Sequence, residues 1–499
     1  MHSAPVNLNI LLQGHNFSSI GNINIEITSI CYDSRMVKPG ALFVCIPGLK
    51  ADGHSFATKA VQQGAVALVV EHFLDLPVSQ VKVKDSRQAL GLLAAAFYHW
   101  PSDSLRLIVI TGTNGKTTIT YLLEHVLRRA AHNIGLIGTL GARIGETEFP
   151  GTRTTPEASD LQGLLATMVQ RQAEYVVMEV SSHALELHRT SGCEYDVAVF
   201  TNLTQDHLDF HQTMEQYLAA KAKLLAGLDD NPRKQGRKYA VINADDAAAP
   251  ELCAKTTAKV LTYGLQAGAV YRAVNVQNTA AGVSFEVVYP GGTLELKLQT
   301  PGLFTVYNAL AAFAVGIEEQ LDPSHLAIAL SEMTGVPGRF ETVSGKQPFN
   351  VIVDYAHTPD GLENVLKTAR GFCQGKVIAV FGCGGDRDKT KRPVMGRIAG
   401  SLADVAIVTS DNPRTEQPNA IIADIIAGIK EITQDFITEP DRGTAINLAC
   451  AMADKGDLVL IAGKGHEDYQ EICGIKYPFD DREVARACLE RMGYGKDNA

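Results

Sequence analysis

Leu107-Ile-Val-Ile-Thr-Gly-Thr-Asn-Gly-Lys-Thr-Thr118 is the stretch that decides how the chain is read. Four apolar residues, Leu107 to Ile110, spell a buried strand, and the run from Tyr121 to Ala131 spells a helix. Between them come Gly112, Thr113, Asn114 and Gly115, then Lys116, Thr117 and Thr118. A strand, a glycine-rich turn and a helix start make an anion site, because successive backbone N–H groups and the helix N-terminus point at phosphate oxygens. Lys116 adds a point charge for the outer phosphates, and Thr117 offers a hydroxyl to Mg²⁺. The full phosphate-loop pattern has a glycine six places before the lysine. Ile110 stands there, so this loop is a short variant. A bare Gly-x-x-Gly-Lys-Thr also occurs in plain helix-starting turns, but its place between a strand and a helix favours a nucleotide.

Composition narrows the rest. A chain of 499 residues is too long for one core, and about two to four domains are expected. Hydrophobic content of 45% and charged content of 20% are ordinary for a globular protein. A net charge of −10 argues against a nucleic-acid binder. The apolar runs are too short to be embedded in a membrane. The N-terminus lacks a basic start followed by an apolar core, so no signal peptide is expected. Nine scattered cysteines without a C-x-x-C pair read as reduced, packed thiols in a cytoplasmic protein.

The alternation of strands and helices divides the chain into three α/β units. Residues 1–102 form a small N-terminal α/β domain, with strands near Ile27–Tyr32, Gly40–Ile46 and Ala65–Val70 and helices over Phe56–Gln63 and Ser86–Tyr98. Residues 103–336 form a central P-loop-type parallel sheet, with strands at Leu107–Thr111, Tyr175–Val180, Val197–Asn202 and Tyr239–Asn243. From Ala269 to Gln299 the period changes to two, which predicts an added antiparallel sheet, followed by an alanine-rich helix from Asn308 to Glu319. Residues 337–499 repeat strand, polar loop and helix, which predicts a Rossmann-like domain. Gly382-x-Gly-Gly lacks the full dinucleotide fingerprint, so a dehydrogenase is not the favoured reading.

In open α/β sheets, ligands gather at the carboxyl ends of the strands. Glu179 ends an apolar strand beside the phosphate loop, where an acidic group for Mg²⁺–nucleotide commonly sits. His207, after the next strand, fits a metal ligand, a general base or a loop residue, and spacing alone leaves these open. Lys221 and Lys223 read as solvated lysines on an amphipathic helix. Arg387 and Arg414 lie on strand-end loops beside Asn412 and Glu467. Arginine forks bind carboxylates bidentately and a glutamate binds an amine, which suggests a zwitterion site or, equally, surface ion pairing.

Taken together, Gly112–Thr118, Glu179-Val-Ser-Ser-His183, Thr201-Asn-Leu with Asp206-His207-Leu-Asp209, Pro337-Gly-Arg339-Phe-Glu341, Asp354-Tyr-Ala-His357-Thr-Pro and Asp411-Asn-Pro-Arg414 resemble the Mur ligases over essentially the whole chain. The resemblance implies an ATP-dependent, ADP-forming ligation of 2,6-diaminopimelate to UDP-N-acetylmuramoyl-L-alanyl-D-glutamate through an acyl phosphate. It implies Lys116, Glu179, His207 and Lys221 as catalytic residues. Thr117, Glu179, His207 and a carbamylated Lys221 become Mg²⁺ ligands. For ATP it implies Gly112 to Thr118, Asn308, Arg339, Asp354 and His357. For the UDP-substrate it implies Tyr32, Ser34 and the Leu49-Lys50-Ala51 loop, with the peptide arm at Arg153, Thr154, Thr155, Ser181 and Arg189. Arg153 stands where some relatives carry Asn. For diaminopimelate it implies Arg387, Asp411, Asn412, Pro413, Arg414, Gly463 and Glu467. Arg414 is expected to pair with the distal carboxylate that lysine lacks; left unpaired, it would penalise lysine. A monomer that closes on its ligands is expected. The alternatives are the same ligation with L-lysine, or a regulatory P-loop NTPase.

Overall fold

The computed structural model describes residues 4–48, 51–149, 151, 153–229, 233–279 and 281–495. Three sheets organise the chain. The first has five strands, in the order Ser18–Ile20, Ser79–Lys82, Ala65–Val70, Ala41–Val44 and Ser29–Cys31. All neighbours run parallel except Ser18–Ile20. Asp85 accepts a hydrogen bond from the Gln88 N–H and so starts the helix Ser86–Phe97, whose Leu90, Leu93 and Phe97 face the core.

The second sheet has eleven strands. The phosphate-loop strand Arg106–Thr111 lies between Tyr175–Glu179 and Val197–Phe200, parallel to both. Parallel pairing continues outward to Ile134–Gly138 on one side, and through Tyr239–Asn243 and Lys259–Gly264 to Tyr271–Thr279 on the other. The strands Gly282–Tyr289 and Gly292–Leu298 then add antiparallel. The expected antiparallel element is therefore not a separate sheet but the continuation of the central one. The strands Lys259–Gly264 and Tyr271–Thr279 make the join. The second lies inside the stretch read as period two, but Arg272, Asn275 and Gln277 interrupt its apolar pattern, and its parallel pairing with Lys259–Gly264 is not legible in the sequence.

Both faces of this sheet are covered. On one face the helices Lys116–Arg129 and Leu303–Glu318 pack together. Residues Ala309 to Val315 are fully buried. Alanine is the best helix former, and its small side chain lets the neighbouring helix approach. The third sheet has six strands, in the order Glu341–Thr342, Asn350–Asp354, Leu458–Ala462, Val377–Phe381, Val405–Val408 and Ile437–Thr438, parallel except for the first. A hairpin, Tyr469–Ile472 with Ile475–Pro478, follows it; sequence reading did not anticipate this element.

Candidate active site

The helix Lys116–Arg129 begins without a side-chain cap. Its first N–H groups are thus left for an outside acceptor, and Gly115, in the left-handed region at φ +87°, turns the chain into it. Gly112 sits at φ +144°, and a Cβ there would fall 1.8 Å from Thr201 Oγ1. The loop is fastened to the next strand: Thr113 N–H donates to Asn202 O at 2.8 Å, Asn114 N–H to Asn202 Oδ1 at 2.9 Å, and Thr201 Oγ1 to Asn114 O at 2.6 Å. Lys116 Nζ folds back onto Gly112 O (3.1 Å) and Thr113 O (2.8 Å). Burial lowers its pKa, with the nearby Glu179 charge opposing.

Thr117 Oγ1 donates to Glu179 Oε2 at 3.0 Å. The fully buried Glu179 also accepts from the Thr139 N–H (2.9 Å) and hydroxyl (3.1 Å). Across the domain boundary, Arg339 Nη2 donates to Thr117 Oγ1 at 2.9 Å. Hydroxyl and carboxylate are the hard oxygen donors Mg²⁺ prefers. That ion normally takes only one or two carboxylates and completes its shell with phosphates and water, so Thr117 and Glu179 fit it.

Lys221 does not lie in solvent, as the helical pattern suggested; it is 1% exposed. The helix Met214–Ala226 aims its amine under the loop, 2.8 Å from Gly112 O and 4.2 Å from the Tyr217 ring centroid. Burial, then the Lys116 charge, drives its pKa well below the ordinary lysine value. A neutral amine is the form that takes up CO₂ as a carbamate. Lys223, by contrast, pairs with Glu186 at the surface. His207 lies at φ +57° with Nε2 3.3 Å from Asp206 Oδ2. Burial keeps its imidazole neutral, the state a metal ligand requires. Burial would raise the Asp206 pKa, but Lys391 (3.4 Å), His207 and His357 (3.7 Å) together hold it well below the carboxylate range.

A cavity of about 290 Å³ opens beside the phosphate loop between the second and third sheets. It brings together Asn114, Gly115, Thr118, Asn308, Arg339 and Asp354. Gly115 has no room for a side chain because Asn308 Oδ1 would lie 2.5 Å from its Cβ. Burial raises the Asp354 pKa and Arg339 opposes the rise, while the Phe340 N–H donates to its Oδ2 at 2.7 Å. His357 does not line this cavity; it faces Asp206 instead.

A second cleft, about 440 Å³, lies between the first domain and residues 153–157 of the central unit. Tyr32, Ser34, Ala51 and Arg153 line it, with Arg35, Lys59 and Arg87 adding positive charge and Phe56 an apolar wall. Leu49 and Lys50 lie outside the described residues. Tyr32 Oη donates to Asp160 Oδ2 at 2.9 Å. From this cleft a polar track leads to Glu179. Arg153 and Arg189 both pair with Glu157, Arg189 Nη1 donates to Thr155 O (3.4 Å), and Thr155 Oγ1 donates to Glu179 O (2.9 Å) and accepts the Ser181 N–H (3.1 Å). The Thr154 and Thr139 hydroxyls meet at 3.1 Å.

The third cluster is on the third sheet. Arg387 and Arg414 flank Gly384, where a Cβ would lie 3.7 Å from Arg387 Cγ and 2.9 Å from Arg414 Nη1. Arg414, at φ +51°, follows Asp411, Asn412 and Pro413. Asn412 Oδ1 accepts from the Glu471 N–H (2.9 Å) and Lys464 Nζ (3.2 Å), so its Nδ2 must face Glu467 Oε2, 2.8 Å away. Lys464, fully buried, also donates to Glu467 at 3.0 Å. Gly463, at φ +122°, leaves the Asp411 carboxylate its place, since a Cβ would stand 2.6 Å from Oδ2. Burial would raise the Asp411 pKa, but Lys464 and Arg442 outweigh it. Arg414 is not an unpaired cation: Nη1 donates to Gly385 O (2.7 Å) and Nε faces Glu471 Oε2 (3.4 Å). The unpaired-arginine penalty expected against lysine therefore does not hold in that form.

Models of known families match the chain as the Mur ligase family, catalytic domain, over residues 26–98, the Mur ligase middle domain over 110–316, and the Mur ligase, glutamate ligase domain, over 338–465. A curated UDP-N-acetylmuramoyl-L-alanyl-D-glutamate--2,6-diaminopimelate ligase from Geobacillus thermodenitrificans (strain NG80-2) is 49% identical over 467 residues, 94% of this chain and 96% of that protein. The chain belongs to the Mur ligase family. A ligase of the same name from Bacillus velezensis (strain DSM 23117 / BGSC 10A6 / LMG 26770 / FZB42) is 50% identical over 93% of this chain and 95% of that protein. A solved structure of a ligase of that name, 34% identical, superposes with a TM-score of 0.69 over 98% of this chain and 99% of its own.

Several residues of this Mur ligase's clefts escaped sequence reading. Asp245, Tyr307 and Asp360 line the cavity beside the phosphate loop, and Asn114 Nδ2 donates to Asp360 Oδ2 at 2.8 Å. Lys391 reaches Asp206 from the third domain. Lys464 stands between the expected residues Gly463 and Glu467, which was the available signal. The others come together only through the tertiary fold.

Proposed function

We propose that this ATP-dependent, ADP-forming ligase joins meso-2,6-diaminopimelate to the D-glutamyl γ-carboxylate of UDP-N-acetylmuramoyl-L-alanyl-D-glutamate, a step of peptidoglycan precursor synthesis in the cytoplasm. The relatives' shared name supports the substrates. The observation that carries the reading is that Arg387 and Arg414 lie beside Gly384 while Asn412, Lys464 and Glu467 bond to one another on the loops after the neighbouring strands of the same sheet, which supports a zwitterion site.

Residues 1–102 hold the UDP-substrate, whose diphosphate suits Arg35, Lys59 and Arg87. Residues 103–336 hold ATP, and residues 337–499 hold diaminopimelate. The peptide arm follows Arg153, Thr155, Ser181 and Arg189 toward Glu179. A carboxylate is a poor electrophile until it carries a leaving group. Its oxygen attacks the γ-phosphorus of ATP and ADP departs, leaving an acyl phosphate. Lys116 and the helix N-terminus stabilise the charge on the phosphoryl oxygens. The free amine of diaminopimelate then attacks the carbonyl carbon, the C–O bond to phosphate breaks, and the amide remains. Mg²⁺ held by Thr117 and Glu179, and by His207 with a carbamylated Lys221, supplies charge neutralisation at the phosphoryl group. Glu467 and Asp411 receive an ammonium, and Arg387 and Arg414 the carboxylates. The ligase works as a monomer.

Arg414→Ala tests the amino-acid site. The KM for diaminopimelate is expected to rise about tenfold or more, as for loss of a charge-assisted fork, with the KM for ATP within a factor of about two. An unchanged KM for diaminopimelate overturns the assignment.

A further inference from the structure

Glu471 belongs to none of the motifs above, yet it touches two residues of the third cluster, Asn412 and Arg414. The hairpin Tyr469–Ile472 with Ile475–Pro478 runs beside the Asp411–Arg414 loop. Arg414 N–H donates to Glu471 O at 3.0 Å and Cys473 N–H donates to Arg414 O at 2.7 Å. The backbone of Arg414, held in the left-handed region, is thus clamped on both sides by the hairpin. The Glu471 N–H fixes Asn412 Oδ1. Its carboxylate lies 3.4 Å from Arg414 Nε, and the two side chains are 27% and 21% exposed.

We propose that Glu471 tunes the affinity of the amino-acid site: its carboxylate rests against Nε of Arg414 as an internal stand-in for the distal carboxylate of the amino-acid substrate, and the substrate carboxylate displaces it. The proposal rests on the reading of Arg414 as the residue that binds that carboxylate. An empty site with a largely buried arginine would leave a cation uncompensated, and Glu471 supplies the counter-charge. The guanidinium Nε is engaged by Glu471 and one Nη1 hydrogen by Gly385 O. An incoming carboxylate that takes the Nε/Nη2 edge bidentately must therefore move the Glu471 carboxylate aside. An amino acid ending in an ammonium cannot make this exchange. Arg414 then keeps Glu471, and the ligand gains nothing from the fork. Glu471 thus weakens binding of the correct substrate and sharpens nothing for lysine, so its removal acts on one substrate alone.

The test is steady-state kinetics of the full-length enzyme carrying Glu471→Gln, Arg414→Ala, or both. Glutamine keeps the backbone contacts of the hairpin and removes only the charge. Glu471→Gln is expected to lower the KM for meso-diaminopimelate about two- to fivefold, the scale of a partly exposed ion pair. The kcat and the KM values for ATP and the UDP-substrate are expected to stay put, and L-lysine turnover not to rise. In the Arg414→Ala background the same change is expected to have no effect. An unchanged or raised KM for diaminopimelate in Glu471→Gln overturns the exchange. If Arg414→Ala itself leaves that KM unchanged, it is the assignment of Arg414 that fails. Glu471→Asp withdraws the carboxylate from the fork while keeping its charge, and it is expected to lower the same KM; should Glu471→Gln fold poorly, an unchanged KM in Glu471→Asp overturns the exchange on its own.

Discussion

Lys221 shows how much a single residue's surroundings decide. By helical pattern alone it is a lysine on an amphipathic helix like Lys223, and only the family resemblance singles it out. In the fold it is buried against Gly112 O and the Tyr217 ring, and its amine is pushed toward neutrality by burial and by Lys116. Lys221→Ala is expected to reduce kcat by about a hundredfold or more, the scale of losing one stabilising group at a phosphoryl or acyl centre. Acetate or formate should restore part of it by replacing the carbamate oxygens; full activity without any addition would remove the carbamate from the account. Three histidines carry a second consequence. Burial lowers His183 and His211 to about 4 and His466 to about 3. The unfolded chain protonates these residues near about 6.5, above the folded values. Their contribution to stability is therefore complete above that pH and lost as pH falls toward 4. The melting temperature should decline steadily between pH 6.5 and 4. A melting temperature constant over that window contradicts buried neutral histidines.

At the scale of elements, legibility followed burial on two faces. The strands Arg106–Thr111, Tyr175–Glu179 and Val377–Phe381 are covered on both sides, so the runs Leu107 to Ile110, Val176 to Met178 and Val377 to Phe381 are apolar without interruption and could be read directly. The strand Tyr271–Thr279 is half-exposed and carries polar residues through its pairing, and the Tyr469–Pro478 hairpin is exposed and held by contacts to a distant loop. Neither writes its partner into its own sequence. The phosphate-loop element was legible because its geometry is demanded by backbone. Gly112 shows why: at φ +144° and 1.8 Å from Thr201 Oγ1, no Cβ fits. Gly112→Ala is expected to destabilise the protein by about 1–3 kcal/mol and to raise the KM for ATP, measured by chemical denaturation and kinetics. A variant of unchanged stability and KM would show that the loop does not depend on that close approach.

At the scale of the molecule, the clefts depend on contacts between sheets that no local pattern encodes. Arg339 meets Thr117, Asn114 meets Asp360, Gln205 meets Asp388 and Thr390, and Lys391 meets Asp206. Each pair joins the central unit to the third and separates residues by about two hundred positions along the chain. Motifs identified most of the residues around the phosphate loop, but not that Lys391 and Asp360 would enter the same space, nor that Arg414 would already hold a counter-ion. A polar track joins the basic cleft to Glu179 beside the phosphate loop, and the loops of the third sheet carry the proposed zwitterion site. On the proposed reading the phosphate chemistry is conditional on two other ligands, a requirement that a regulatory nucleotide switch would not have. The most direct test is ADP release by the purified protein with ATP and Mg²⁺, in the presence and absence of UDP-N-acetylmuramoyl-L-alanyl-D-glutamate and across a panel of amino acids. ADP is predicted to form in step with amide only when the UDP-substrate and meso-diaminopimelate are both present, with L-lysine a poor replacement. ADP release without them, or equal use of L-lysine, would contradict the account.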